Sequence, residues 1–187
     1  MGERLLRTFV SIPLPADVLK VISRLKYLTE SPGRIKWSRP GQIHLTLKYL
    51  GHTPPDSVPE ILSVLERCLK NVNPFELKLK GTGCFPGLER PRILWLGVGG
   101  SLHILKSLVH NINSELESLG FPRELHNYHP HISLGRIKYP QKNTPDISRF
   151  IRAEIEPIPI KVIKFQFMSS ELFSNGPVYT ILGTRFL

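Results

Sequence analysis

The sequence has few of the features that mark secreted or membrane-bound proteins. Its 187 residues include only two cysteines, Cys68 and Cys84, which form neither a disulfide framework nor a Cys-x-x-Cys pair. No run of apolar residues approaches the length of about 18 that a membrane-spanning helix needs. The opening MGERLLRTFVSIPLP contains charges and prolines where a signal peptide needs a continuous apolar segment. We therefore expect a cytoplasmic protein that makes no contact with a membrane.

Acidic residues are also few relative to basic ones. The 25 lysines and arginines outnumber the 15 aspartates and glutamates, which gives a formal net charge of +10. A surplus of this size favours an anionic partner such as a nucleic acid or a nucleotide, although it can also serve solubility alone. The basic residues are scattered, with no block of five or six like charges. Charge alone leaves both interpretations open.

Hydrophobic residues (41%) and charged residues (21%) are close to the globular average, so the composition is that of a soluble globular protein. Apolar residues at helical spacing predict three helices, near residues 18–28, 57–69 and 101–119, the second with a capping box of Ser57 and Glu60. Strands are predicted over these runs: Thr8–Ile12, Ile43–Leu50, Phe75–Leu79, Ile93–Val98, His131–Ile137, Ile158–Phe167 and Val178–Leu182.

The order of these elements indicates a duplicated unit. Strand, helix, histidine-containing strand, helix and strand occur once from Thr8 to Leu79 and again from Ile93 to Phe167. We expect one domain over residues 1–187 made of two pseudo-symmetric lobes, approximately 1–80 and 81–187. The Gly- and Pro-rich stretch 81–91 is the expected seam, and the last strands are expected to cross back to complete one of the sheets.

Two histidines recur at matching places of the two halves, each followed two residues later by a hydroxyl residue. The first motif is His44-Leu45-Thr46 and the second is His131-Ile132-Ser133. Because side chains alternate along a strand, the histidine and the hydroxyl of each motif share one face. Either histidine alone reads best as a structural residue, but their symmetric recurrence predicts a cleft lined by two imidazoles and two hydroxyls.

Such a pair suits the hydrolysis of a phosphodiester. Imidazole has an ordinary pKa of about 6.5, so near neutral pH one ring can accept a proton from water while the other donates one to the leaving alkoxide. Each proton transfer typically contributes about 10²- to 10⁴-fold. The two hydroxyls can donate hydrogen bonds to the phosphate oxygens. This chemistry needs no metal or other cofactor.

A zinc site is the alternative for the cluster of His126, His129 and His131. No Cys, Asp or Glu stands nearby in a recognised ligand pattern, so we expect no metal. His126 and His129 are instead expected in a loop at the mouth of the cleft. By strand alternation Lys48 shares the face of His44, where it is either a phosphate-attracting cation or an ordinary solvated lysine.

The segments HLTLKYLG and HPHISLGR resemble the paired motifs of the two-histidine (2H) phosphoesterases, in particular the bacterial and archaeal RNA 2′,3′-cyclic phosphodiesterases once described as 2′-5′ RNA ligases. RTFVSIPLP, GTGCFPGLERPRILWLGV and SSELFSNGPVYTIL are similar to further segments of that family. The resemblance implies a bilobal α+β fold, with two antiparallel sheets facing a central cleft and helices outside. It also implies that the protein needs no metal cofactor and opens a terminal 2′,3′-cyclic phosphate on RNA to a 2′-phosphate. We further expect a monomer without cofactors, whose substrate is either such an RNA end or a cyclic nucleotide.

The resemblance assigns roles to five residues. His44 matches the proton donor and His131 the proton acceptor, while Thr46, Ser133 and Arg136 match phosphate-binding positions. A regular pleat would point Arg136 away from Ser133, so either the strand bends at Gly135 or Arg136 acts from the strand end.

Phe85 and Tyr179 lie in the matched segments. They are expected either to stack on a base or to pack between the lobes. Three alternatives stay open at this stage: that the reverse 2′-5′ ligation also takes place, that the two histidines exchange their acid and base roles, and that the protein is a non-catalytic nucleotide- or RNA-binding module on the same fold.

Overall fold

A computed structural model describes residues 4–29, 35–124, 126–140, 144–174 and 176–187. Within them the chain forms nine strands and four α-helices, in this order: β1 (Leu6–Pro13), α1 (Ala16–Lys26), β2 (Ile35–Trp37), β3 (His44–Thr53), α2 (Val58–Leu69), β4 (Phe75–Phe85), β5 (Ile93–Gly100), α3 (Leu102–Glu117), β6 (His131–Ile137), α4 (Ser148–Ile151), β7 (Pro159–Val162), β8 (Lys164–Phe173) and β9 (Gly176–Phe186).

The strands form one antiparallel sheet rather than the two sheets expected. Its order is β7-β4-β5-β6-β3-β1-β8-β9. The short strand β2 pairs with residues 135–137 of β6, on the same edge of β6 as β3. The halves β7-β4-β5-β6 and β3-β1-β8-β9 are joined by a single residue pair, Leu45 with Ile132. The expectation of two separate sheets was wrong because the two histidine strands are themselves neighbours.

The predicted order of strands and helices is confirmed, with three differences in the strands. The strand predicted as Phe75–Leu79 continues to Phe85, so β4 runs into the expected seam and pairs with β5 there. The run Ile158–Phe167 is not one strand: it divides at Ile163 into β7, which pairs with β4, and β8, which pairs with β1. The run alternates apolar and polar residues on both sides of Ile163, and this pattern does not reveal a crossover between sheet halves, because both strands bury every second residue. The three-residue strand β2 was not predicted, since it is too short to show a periodicity.

The helices bury their apolar faces against one side of the sheet. Helices α2 and α3 pack against each other, and they also contact β9 and β3 respectively. Gly183 of β9 lies against Leu62 of α2, where a larger side chain would collide. Both helices begin where predicted, but Ser57 makes no side-chain capping hydrogen bond, so the capping box was wrong. Among the described residues, no helix is both long enough and apolar enough to cross a membrane.

A β-bulge in β3 explains the position of Lys48. Thr46 pairs with Ser11 and Lys48 pairs with Val10, so Leu47 is an extra residue and the alternation shifts by one. Lys48 consequently points to the helix side and is 1% exposed. Its ammonium donates hydrogen bonds to Asn113 Oδ1 (2.7 Å) and to the carbonyl of Pro122 (2.8 Å). Both expectations for Lys48 were therefore wrong, because each assumed a regular pleat.

Replacing Lys48 with methionine keeps the volume but leaves Asn113 Oδ1 and the Pro122 carbonyl without their buried donor. We expect Lys48→Met to lower the free energy of unfolding by about 1–3 kcal/mol, measured by urea denaturation. The exposed Lys106 of α3 provides the control, since Lys106→Met should change the free energy of unfolding by less than about 0.5 kcal/mol. Equal stability of the two variants would contradict this account of the Lys48 contacts.

Candidate active site

The junction of β3 and β6 brings the two histidine motifs side by side. Leu45 and Ile132, both 0% exposed, form the one antiparallel pair between these strands. Antiparallel pairing places His44 next to Ser133, and Thr46 next to His131, across the junction. These four side chains are half-buried, on the sheet face opposite the helices. The predicted constellation of two imidazoles and two hydroxyls is thus brought together.

Both imidazoles are oriented in the same way by a backbone carbonyl two residues earlier. His44 Nδ1 lies 3.1 Å from the carbonyl oxygen of Gln42, and His131 Nδ1 lies 2.7 Å from that of His129. With the proton on Nδ1, each neutral ring donates to its carbonyl and leaves Nε2 free. Both rings can therefore exchange a proton through the nitrogen that the backbone does not hold.

His44 is enclosed by aromatic rings. Phe9 stacks on it with ring centroids 4.7 Å apart and planes 22° apart, and Tyr179 meets it edge-on at 5.3 Å. Burial lowers the pKa of His44 to about 4, although the hydrogen bond to the Gln42 carbonyl opposes the shift. The unliganded protein therefore holds His44 neutral at pH 7.

His131 is bordered by a second aromatic group. Phe85 meets it edge-on at 5.0 Å, and the rings of Trp95 and His129 lie at 6.3 and 6.2 Å. Gly83 leaves the room that the Trp95 ring occupies. Burial lowers the pKa of His131, and a positive charge on His129 would lower it further, while the hydrogen bond to the His129 carbonyl opposes the shift. Each histidine thus has its own aromatic surroundings.

The predicted stacking residues are accordingly divided between the two histidines. Tyr179 lies against His44 and Phe85 against His131. Phe85 also contacts the exposed ring of His129, which lies at the edge of the site as expected. Contact with a base stays a prediction for both Tyr179 and Phe85.

A bulge in β6 turns Arg136 toward the histidines. Ser133 pairs with Trp95 and Gly135 pairs with Leu94, so Leu134 is an extra residue. The alternation shifts by one and returns Arg136 to the face of His131 and Ser133. Burial raises the pKa of the Tyr179 hydroxyl, and the positive charge of Arg136 opposes that shift. The strand therefore departs from a regular pleat next to Gly135, which was one of the two explanations offered for Arg136.

Sequence reasoning missed three residues on this face. Phe9 reads as core in the run TFVSI, yet it stacks on His44. Arg7 precedes it by two residues and shares its face of β1. Lys36 of β2 pairs with Arg136, at the far end of the same face. The only sequence signal was the alternation of Arg7, Phe9 and Ser11, which does not reveal which side of the sheet faces the histidines.

The donor atoms of the site suit an anion rather than a cation. They are imidazoles, hydroxyls and a guanidinium, with no carboxylate on either motif strand next to the histidines. Among the described residues, no group of three or more His, Cys, Asp or Glu is placed to hold a metal ion. Such an arrangement is chemically suited to hold an anion and to exchange protons at the two Nε2 atoms.

This combination of fold and site defines a phosphoesterase-like protein with paired histidines. The sequence model of the 2′-5′ RNA ligase superfamily matches residues 14–172, and the chain belongs to that family.

Relatives with the same extent support the assignment. The chain is 31% identical to the RNA 2′,3′-cyclic phosphodiesterase of Aquifex aeolicus over 98% of both chains. It is 32% identical to the protein of that name from Thermotoga maritima, over 95% of this chain and 93% of the relative.

Solved structures show the same fold. The crystal structure of TT0787 of Thermus thermophilus is 28% identical, with a TM-score of 0.83 over 97% of this chain and 98% of that one. Escherichia coli LigT complexed with 3′-AMP is 23% identical, with a TM-score of 0.77 over 98% of both chains. The latter likeness concerns the fold alone.

Removing the ring that stacks on His44 tests the origin of its low pKa. We expect Phe9→Ala to raise the pKa of His44 from about 4 toward its ordinary value of about 6.5, because water then reaches the imidazole. The measurement is an NMR titration of the imidazole Cε1 protons. The midpoint of His131, whose ring contacts do not include Phe9, serves as the internal control. A His44 midpoint that stays near 4 would contradict desolvation as the cause.

Proposed function

We propose that this protein is a metal-independent RNA 2′,3′-cyclic phosphodiesterase, which opens the cyclic phosphate at an RNA end to a 2′-phosphomonoester. The observation that carries the proposal is the pairing of Leu45 with Ile132, since it sets His44 and His131, each with a free Nε2, on one face of one sheet junction. Two histidines supply both proton transfers that the reaction needs.

The reaction then runs by general acid and base catalysis. His131 Nε2 accepts a proton from a water molecule, whose oxygen bonds to the phosphorus. The bond from phosphorus to O3′ breaks, and the protonated His44 donates its Nε2 proton to O3′. The product carries a phosphate on O2′ and a free 3′-hydroxyl. His131 is left protonated and His44 neutral, so one proton must move between them through solvent before the next cycle.

Thr46, Ser133 and Arg136 bind the phosphate. Thr46 lies beside His131 and Ser133 beside His44, so each hydroxyl can donate to a non-bridging oxygen from the side of the opposite histidine. The guanidinium of Arg136 adds a charge-assisted contact from the same face. The negative charge of the bound phosphate favours the protonated form of His44, which burial disfavours in the empty site.

The proposed protein is a cytoplasmic monomer, a single domain over residues 1–187 with two lobes. Cys68 and Cys84 are both unpaired, as a reducing compartment requires. The pairing of β8 with β1 supports the exchange of the terminal strands between lobes. The substrate is an RNA end or a cyclic nucleotide, with Phe85 and Tyr179 as the candidates for contact with a base.

Removing either imidazole should abolish one proton transfer. We expect His44→Ala and His131→Ala each to lower kcat on a short RNA with a 2′,3′-cyclic phosphate by at least about 10²-fold. The control is His110→Ala, on the exposed face of α3. Chromatography of the product should show the 2′-phosphate, and EDTA should leave the rate unchanged. Near wild-type turnover by both histidine variants would refute the proposed function.

The acid and base roles can be separated with a phosphodiester that carries a 4-nitrophenyl group, because this leaving group departs without a proton. We expect His44→Ala to lose far less activity on this substrate than on the cyclic phosphate. His131→Ala should lose activity on both substrates, since attack by water still needs the base. The opposite pattern would assign the donor role to His131.

The low pKa values of the two histidines predict an acidic pH optimum for kcat/KM, which reports the free enzyme. The pKa of His44 is about 4 and that of His131 lies below its ordinary value of about 6.5. Above the pKa of His131 the pair has lost its last proton, so kcat/KM should fall about tenfold per pH unit. We expect the maximum below about pH 6.5 in initial-rate measurements. A plateau extending to pH 8 would contradict the shifts.

A further inference from the structure

The two motif strands carry the same bulge at the same place. In β3 it follows Thr46, and in β6 it follows Ser133. Tyr49 follows His44 by five residues, as Arg136 follows His131. Tyr49 is therefore the pseudo-symmetric counterpart of Arg136. The first motif strand carries no guanidinium of its own at this point.

A guanidinium reaches the counterpart position from the neighbouring strand. Arg7 of β1 donates two hydrogen bonds to the Tyr49 hydroxyl, from Nε at 3.1 Å and from Nη2 at 2.9 Å. No other acceptor among the described residues takes a side-chain N–H of Arg7, and no carboxylate in that part of the chain forms an ion pair with it. Arg7 and Tyr49 are both exposed. The pair thus presents a fixed, uncompensated positive charge to solvent.

This charge lies on the catalytic face, next to the aromatic group around His44. Arg7 and Phe9 are two residues apart on one face of β1, which separates them by about 7 Å along the strand. Phe9 stacks on His44 and contacts Tyr179 at 5.1 Å. Burial raises the pKa of Tyr179, and the positive charges of Arg136 and Arg7 both oppose that shift. Both guanidiniums are therefore near enough to act electrostatically on the Tyr179 hydroxyl.

We propose that Arg7, held by Tyr49, is a second phosphate-binding group of the cleft, which binds the phosphodiester on the 5′ side of the reacting nucleotide. Arg7 lies two residues along β1, about 7 Å, from Phe9, whose ring stacks on His44. A phosphate held at His44 would therefore be on the order of one nucleotide step from Arg7. An oligonucleotide end carries an anion at that distance, whereas a cyclic mononucleotide does not. The subsite, which rests on the proposed function, makes the protein prefer RNA ends over mononucleotides.

The test compares kcat/KM for two substrates, a dinucleotide ending in 2′,3′-cyclic phosphate and the corresponding cyclic mononucleotide. We expect Arg7→Gln to lower the dinucleotide-to-mononucleotide ratio by about tenfold, mainly through KM. Tyr49→Phe should lower the ratio by a smaller factor, because the guanidinium is retained but no longer held. Arg24→Gln removes the same charge from the exposed face of α1 and should leave the ratio unchanged.

A matched substrate isolates the internal phosphate. In the wild type, replacing the internal phosphodiester of the dinucleotide with an uncharged methylphosphonate should remove the preference, and added salt should weaken it. In Arg7→Gln, neither the methylphosphonate nor added salt should change the ratio of kcat/KM for the dinucleotide to that for the mononucleotide. A purely structural contact between Arg7 and Tyr49 would move none of these ratios. An unchanged ratio in Arg7→Gln would overturn the proposal.

Failure of the proposed function would look different. A wild type that turned over neither substrate would refute the phosphodiesterase, and Arg7 would then be judged by binding of the dinucleotide 2′-phosphate in calorimetry. Tighter binding to the wild type than to Arg7→Gln supports the subsite, and equal binding overturns it.

Discussion

The geometry of the candidate site depends on one backbone pair, Leu45 with Ile132. Both side chains are completely buried on the helix side, so the core fixes the register of the two motif strands at this point. Their neighbours along each strand, a histidine and a hydroxyl residue, must then point to the other face. A slip of one residue would bury the imidazoles and expose the leucine and isoleucine. The hydrophobic core thus determines which side chains meet at the site.

The second constraint is the bulge that follows each motif. One extra residue reverses the alternation, and the result is different in the two halves. In β3 it sends Lys48 into the core toward α3 and returns Tyr49 to the open face. In β6 the corresponding residues are Gly135 and Arg136, so the open face gains a guanidinium directly. Arg7 supplies the matching guanidinium on the β3 side. The same bulge therefore carries different side chains in β3 and in β6.

Unlike surroundings also separate two histidines whose backbone contacts are equivalent. Each ring is held at Nδ1 by a carbonyl two residues earlier, but His44 is stacked under Phe9 whereas His131 has the exposed His129 beside it. Desolvation acts more strongly on His44, and the negative charge of the phosphate in the proposed reaction would act in the opposite direction. A pair of identical groups can divide acid and base work only if their environments differ, and the aromatic residues provide that difference.

The sequence by itself determined the order of the elements and the two motifs, because periodicity and spacing are local properties. It placed His44, Thr46, His131 and Ser133 on the correct face for the same reason. Only the tertiary structure decided that the two motif strands are neighbours in one sheet, that a bulge buries Lys48, that Phe9 stacks on His44, and that Arg7 is bonded to Tyr49. Strand pairing and bulges arise between segments distant in the chain. No local pattern records which partner a strand will take, or where one of its residues will be left unpaired.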